Sequence, residues 1–253
     1  MKIHIIRHAE PYYAIDGLTE KGHREASLLA SRMKALGEKE KILGIYVSPL
    51  GRAQATWGYT RDLTGWEAET LPWLCEFRGR CLDPDRQRMR SCWDFRPRTY
   101  LSDPLLHDPE KWVEAKLFQG SNVQEIWKET TDGVEKMLEN FGYTYSGGVW
   151  LNSENIEGSL LLFCHFGVGM AVAAFLTGTS PVTFWQNTCM LPSSVTTLVS
   201  EEQLKGEIHF RCTQIGDVSH LYAAGEEPST AGMFAEIYDG RDSTDPISWG
   251  NRH

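Results

Sequence analysis

The chain has 253 residues, 41% hydrophobic and 23% charged, with 23 glycines and 11 prolines. This is the composition of a folded globular protein, and a chain of this length buries about 70–75% of its unfolded surface, so disorder, collagen-like repeats and a disulfide-stapled miniprotein are excluded. A formal charge of −9, from 25 basic and 34 acidic side chains, removes any global electrostatic case for nucleic acid as a partner. Apolar runs such as 160–164 and 171–176 fall short of the roughly 18 residues of a membrane span, so no membrane partner is expected. Lys2, His4 and Arg7 put charge where a signal peptide carries its apolar region, which predicts a cytoplasmic address. Six cysteines (Cys75, Cys81, Cys92, Cys164, Cys189, Cys212) lie scattered without a CxxC pair. They read as buried thiols, not as zinc ligands.

In chain order, residues 2–6 form a short β-branched apolar run and predict a buried strand. Thr19 predicts the N-cap of a helix carrying Ala26, Leu29, Ala30, Met33 and Leu36 at helical spacing and ending at Gly37. Residues 44–47 predict a second buried strand, broken by Ser48-Pro49, and a helix follows from near Leu50. Residues 69–71 predict a third, short strand. From about 73 to 120 the periodicity is lost; this stretch holds three tryptophans and four prolines, and is expected to be an insertion with short helices or a lid. Helical spacing returns over 123–141, residues 143–158 read as a polar connector, and 159–164 predict a central strand. An apolar helix over 168–176 and strands at 194–199 and 208–214 complete the pattern. Strands alternating with helices predict an α/β sandwich with a largely parallel central sheet. The chain is expected to form one domain over 1–225, with a tail from 226 to 253.

Polar groups gather where strands end. Arg7 and His8 follow the first strand, Arg52 the second and His165 the fourth, and in open α/β sheets ligands bind beyond the carboxyl ends of strands. Arginine offers a planar, permanently charged fork to a phosphate dianion, and a neutral imidazole can attack phosphorus. No His or carboxylate pair shows metal-ligand spacing on one element, so neither a metal nor another cofactor is expected.

Arg7-His8-Ala9-Glu10, Leu18-Thr19-Glu20-Lys21-Gly22, Ser48-Pro49-Leu50-Gly51-Arg52-Ala53 and Cys164-His165-Phe166-Gly167 stand in an order that resembles the histidine phosphatase superfamily, the phosphoglycerate-mutase-like group, over residues 3 to about 199. The resemblance implies a three-layer α/β/α fold and a phosphohistidine mechanism without metal. It implies His8 as the nucleophile, Arg7, Arg52 and His165 as the phosphate pocket with the backbone at Phe166 opening the helix beside it, and Glu76 as the proton donor. Phe166 stands where the acid phosphatase and phytase branch has Asp, which favours the cytosolic branch. Pro11-Tyr12-Tyr13 departs from the Thr and Asn that many members carry after the first motif. Glu10 and Asp83 are the other acids to consider, and Glu76 could instead neutralise Arg78 or Arg80. These features imply a phosphomonoesterase acting on a small phosphorylated metabolite. The alternatives are a phosphoglycerate mutase-type isomerase, against which Glu76-Phe77-Arg78-Gly79-Arg80 counts, and a non-catalytic phosphate-binding module. Between residues 78 and 98 seven arginines face three aspartates, and the lid reading gives Arg78 and Arg80 a second anionic group of the substrate to bind.

Overall fold

All six residues of the stretch Ser159–Cys164 are buried, which for a strand of alternating side chains requires cover on both faces. The computed structural model, which describes residues 1–233 except 94, 153 and 155, supplies that cover. Its elements run β1 (Lys2–Arg7), β2 (Pro11–Tyr12), β3 (Gly17–Leu18), α1 (Glu20–Gly37), β4 (Ile42–Val47), α2 (Gly51–Thr64), β5 (Glu69–Thr70), β6 (Arg80–Asp83), β7 (Arg88–Ser91), α3 (Pro97–Leu101) and α4 (Val123–Glu139). They continue with β8 (Thr144–Ser146), β9 (Val149–Leu151), β10 (Ser159–Cys164), α5 (Phe166–Thr177), α6 (Pro181–Asn187), β11 (Val195–Leu204), β12 (Glu207–Asp217) and α7 (Ser219–Ala223).

The central sheet has eight strands in the order β5-β4-β10-β1-β11-β12-β9-β8. Pairings from β5 to β1 are parallel, and those from β1 through β11, β12 and β9 to β8 are antiparallel. The α/β sandwich is therefore as expected, its sheet is mixed, and the parallel half holds the strands β1, β4 and β10 that lead into the first, third and fourth motifs. Alternation sorts the side chains: Ile3, Ile5, Leu160 and Leu162 join one apolar cluster with Val168, Met170 and Val172 of α5. Ile6, Leu161 and Phe163 join another with Leu29 and Met33 of α1 and Trp57 of α2. Helices thus cover both faces. No helix among the described residues is long and apolar enough to cross a membrane.

Local signals explain several boundaries. The Thr19 hydroxyl accepts from the Gly22 N–H at 3.0 Å and caps α1, while Gly65 in the left-handed region (φ 72°) ends α2. The polar connector expected over 143–158 is corrected: it holds the hairpin β8–β9, which extends the sheet at its edge. Its turn is Gly147-Gly148, both with positive φ (58° and 88°), a two-residue hairpin loop that Gly-Gly favours. Of the cysteines, Cys189 is exposed and Cys212 half-buried, so only four are buried thiols. The insertion carries the β6–β7 hairpin, α3 and three short 3-10 turns. Its Phe95, Tyr100, Leu106, Trp112 and Phe118 are buried in the same cluster as α5 and α6. The tail is described as far as Met233; its Phe234, Ile237 and Trp249 lie outside the described residues.

The first residues of the tail are pinned by two acids. Glu25 of α1, fully buried, accepts from the Glu10 N–H at 2.8 Å and the Ser229 N–H at 3.0 Å. The Ser229 hydroxyl donates to the Glu10 carboxylate, which also accepts from the Thr19 hydroxyl. Burial pushes the Glu25 carboxyl up to about 7, against the pull of its two backbone donors. Because the folded value lies above the unfolded one, this group contributes stability that is full below about pH 4.5 and lost as pH rises through about 7. Relative to Glu25→Gln, the wild type should therefore lose on the order of 2–3 kcal/mol between about pH 4.5 and about pH 8. Chemical denaturation of both proteins across that range measures the difference, and parallel curves would refute the assignment.

Candidate active site

Strand register assembles the site. Lys2 to Arg7 pair one-for-one with Ser159 to Cys164, so the residues that follow, His8 and His165, leave the sheet side by side. Their ring centroids are 5.1 Å apart. On the other side of β10, Val47 pairs with Phe163, which brings Ser48 to the same edge. Its hydroxyl lies 2.7 Å from Nε2 of His165 and accepts from the Leu50 N–H at 3.2 Å. Arg52, one residue into α2, then reaches back over His8.

Each side chain is held in a definite state. Nδ1 of His8 lies 2.8 Å from the Ala9 carbonyl oxygen; only a protonated Nδ1 can donate there, which leaves the Nε2 lone pair free of a proton. The Arg52 Nε–H donates to that Nε2 at 3.3 Å. Burial, then the neighbouring His165, Arg7 and Arg52, hold the His8 pKa well below the usual imidazole value. Burial, Arg52 and Arg7 do the same to His165, so in this pocket both rings are neutral. Positive charge comes from the arginines. Arg7, 5% exposed, donates to the Met190 carbonyl at 2.5 Å and to the Ala231 carbonyl at 3.2 Å. Arg52 donates to the Asp16 carboxylate at 2.5 Å and lies 5.4 Å from the Tyr13 ring centre.

Glu76 faces these groups from the start of the insertion. Its Oε1 accepts from the Phe77 N–H at 2.8 Å and the Val168 N–H at 3.1 Å, the latter in the first turn of α5. Burial raises its pKa and outweighs those bonds and the pull of Arg52 and Arg7. The other candidate acids are engaged elsewhere: Glu10 in the Ser229 clamp, and Asp83, fully buried, with Arg86 and Arg90. Asp83 also accepts from two backbone N–H groups and titrates low despite its burial.

Arg7, His8, Arg52, Glu76, Phe166 and Arg80 all line one cavity of about 820 Å³. His165 lies beneath its surface, fully buried, with Nδ1 unpartnered among the described residues. Nε of Arg7 is likewise unpartnered. An unmade bond of a buried polar atom costs about 1–3 kcal/mol, and with Arg7 and Arg52 on the cavity wall these two unpartnered nitrogens fit a site that takes an anion. Arg78 is not on the cavity wall: its guanidinium pairs with Glu129 at 2.6 Å on the surface. The role expected for it is corrected to a surface ion pair. Among the described residues no group of three or more His, Cys, Asp or Glu is placed to hold a metal ion.

Sequence reasoning missed Tyr13, Asp16 and Trp93. Asp16 adopts φ 48° and accepts from the Gly51 N–H at 2.6 Å, so one carboxylate both opens α2 and holds Arg52. A Cβ on Gly51 would sit 2.3 Å from the Asp16 carbonyl oxygen, and Gly51 beside a strand-end arginine was the signal for this close approach. Tyr13 occupies the wall where Pro11-Tyr12-Tyr13 departs from the family pattern.

Residues 3–210 match the Histidine phosphatase superfamily (branch 1). No curated protein matches the chain in sequence. Among solved structures, a mutant phosphoserine phosphatase from Entamoeba histolytica in complex with phosphoserine is similar at a TM-score of 0.57 and 16% identity, over 87% of this chain and 98% of that one. A mycobacterial glucosyl-3-phosphoglycerate phosphatase with inorganic phosphate gives 0.56 and 17%, over 87% and 98%. Bacillus stearothermophilus YhfR gives 0.53 and 20%, again over 87% and 98%. At these identities the likeness is one of fold, whereas the sequence match spans most of the chain and carries the strand-end arginines and histidines with it: the chain belongs to the histidine phosphatase superfamily, branch 1.

Proposed function

We propose that the protein is a phosphomonoesterase working through a phosphohistidine on His8. The observation that carries this reading is the pairing of an unprotonated His8 Nε2, fixed by the Ala9 carbonyl, with a Glu76 carboxyl whose pKa burial raises, on the wall of one cavity. A phosphoryl group in it would take charge-assisted bonds from Arg7 and Arg52 and a bond from His165 Nδ1. Phosphoryl transfer spreads negative charge over the equatorial oxygens, so such positioning supplies most of the catalysis. The His8 Nε2 lone pair forms the N–P bond while the ester P–O bond breaks. The departing oxygen takes its electron pair and the Glu76 proton. Water then attacks phosphorus, giving its proton to the Glu76 carboxylate; the N–P bond breaks, its electrons return to Nε2, and inorganic phosphate leaves. The small phosphorylated substrates bound in related folds support this reading, as does the sequence family.

His8→Ala should abolish steady phosphate release, to below about 1% of the wild type, and rapid alkaline quench of the wild type with labelled substrate should leave an acid-labile label on His8. Phosphoryl transfer between metabolites without net phosphate release would instead identify a mutase, and an unlabelled protein without turnover would identify a binding module. Glu76→Gln should slow hydrolysis of alkyl phosphates by about a hundredfold or more but that of p-nitrophenyl phosphate by less than about tenfold, since nitrophenolate leaves without a proton. Equal losses would remove Glu76 as the acid. Arg80→Ala should raise KM for substrates with a second anionic group, with an effect that shrinks as salt rises. Arg78→Ala should leave KM unchanged, and the reverse pattern would relocate the second anion site to the Arg78–Glu129 surface.

A further inference from the structure

Beyond the ester oxygen the cavity is walled by rings. A Cβ placed on Gly167 would meet the Trp93 ring at 2.6 Å and Oε1 of Glu76 at 2.7 Å. Indole and carboxyl therefore flank one point, and Trp93 stands directly beside the group that faces the leaving oxygen. The Trp93 ring is edge-on to Phe166, with centroids 6.4 Å apart, and 6.1 Å from Trp185. Trp185 is fixed in turn by donating its indole N–H to the Gly167 carbonyl at 2.8 Å and by packing on Phe77 at 4.9 Å. All three ring walls and Met89 line the cavity. Arg80, Arg88, Arg90 and Gln186 line the same cavity, so the rings form one wall of it, the wall beside Glu76, and polar side chains form most of the rest. The cavity, at about 820 Å³, falls in the range of about 300–1,000 Å³ that takes drug-sized ligands.

We propose that the site takes phosphomonoesters whose alcohol portion carries an aromatic ring, seated against Trp93 immediately beyond the ester oxygen. This rests on the phosphatase reading for its chemistry, but not for its test. Ring stacking on a preformed wall adds binding beyond burial alone. The alcohol portion is thus held by Trp93, Trp185 and Phe166 while Arg7 and Arg52 hold the phosphoryl end.

Calorimetric titration of the full chain with phosphonates, which cannot be hydrolysed, separates the two readings. 2-Naphthylmethylphosphonate should bind at least about tenfold more tightly than methylphosphonate. Trp93→Leu, which keeps an apolar side chain but removes the ring face, should reduce that ratio below about threefold, and Trp93→Phe should restore most of it. A wild-type ratio below about threefold, a ratio that survives Trp93→Leu, or tighter binding of 3-phosphonopropionate than of the naphthyl compound would overturn the proposal. Absence of phosphate release from p-nitrophenyl phosphate would overturn the phosphatase reading while leaving the phosphonate ratios to decide this one.

Discussion

Arg7 is a buried guanidinium that donates to the backbone carbonyls of Met190 and Ala231, and distant segments of the chain meet around it. A cation taken out of water must be compensated by fixed dipoles or a counter-charge. Here the dipoles come from the segment before β11 and from the tail, which closes the chain over the end of β1. That is why the tail needs an anchor of its own, and Glu10 and Glu25 supply it through Ser229. The chain's first motif, its last described residues and the loop after α6 are tied together by the need to compensate one side chain.

The same electrostatics decides the protonation states. Burial and two arginines hold both histidine pKa values well below the usual imidazole value, and burial raises that of Glu76 although the arginines oppose it. Base and acid are set apart by one medium acting on groups of opposite charge type: burial disfavours the cation of a histidine and the anion of a glutamate alike. Arg52 is the balance point. Asp16 draws part of its charge away from His8 while fixing its geometry, so the field on His8 depends on a left-handed residue in the loop between β2 and β3.

The insertion is where this chain expresses its own character. Its arginines differ in place: Arg86 pairs with Asp83 and Arg78 with Glu129, while Arg80, Arg88 and Arg90 reach the cavity, Arg90 also beside Asp83. Its rings divide likewise, Trp112 and Phe118 into the core and Trp93 onto the cavity wall. Cys81 of β6 and the core rings belong to the same apolar cluster as α5 and α6, so the insertion packs on the core.

The sequence by itself determined the parallel half of the sheet and the ends of its strands, because a fully apolar β-branched run ending in polar residues has one physical solution. It also determined Thr19 as a cap and Arg7, His8, Arg52 and His165 as neighbours, since chemistry at strand ends converges on one edge. The antiparallel half was less legible: β8–β9 is short and polar, and its Gly147-Gly148 turn gave the only local signal. Glu76 was legible only beside Glu10 and Asp83, and the choice among them required knowing which carboxylates are already occupied. The tertiary structure alone decided the neutral state of His165, the surface pairing of Arg78 and the place of Trp93 beside Glu76. Those are properties of burial and of contacts between residues distant in the chain, and neither is encoded in any local spacing.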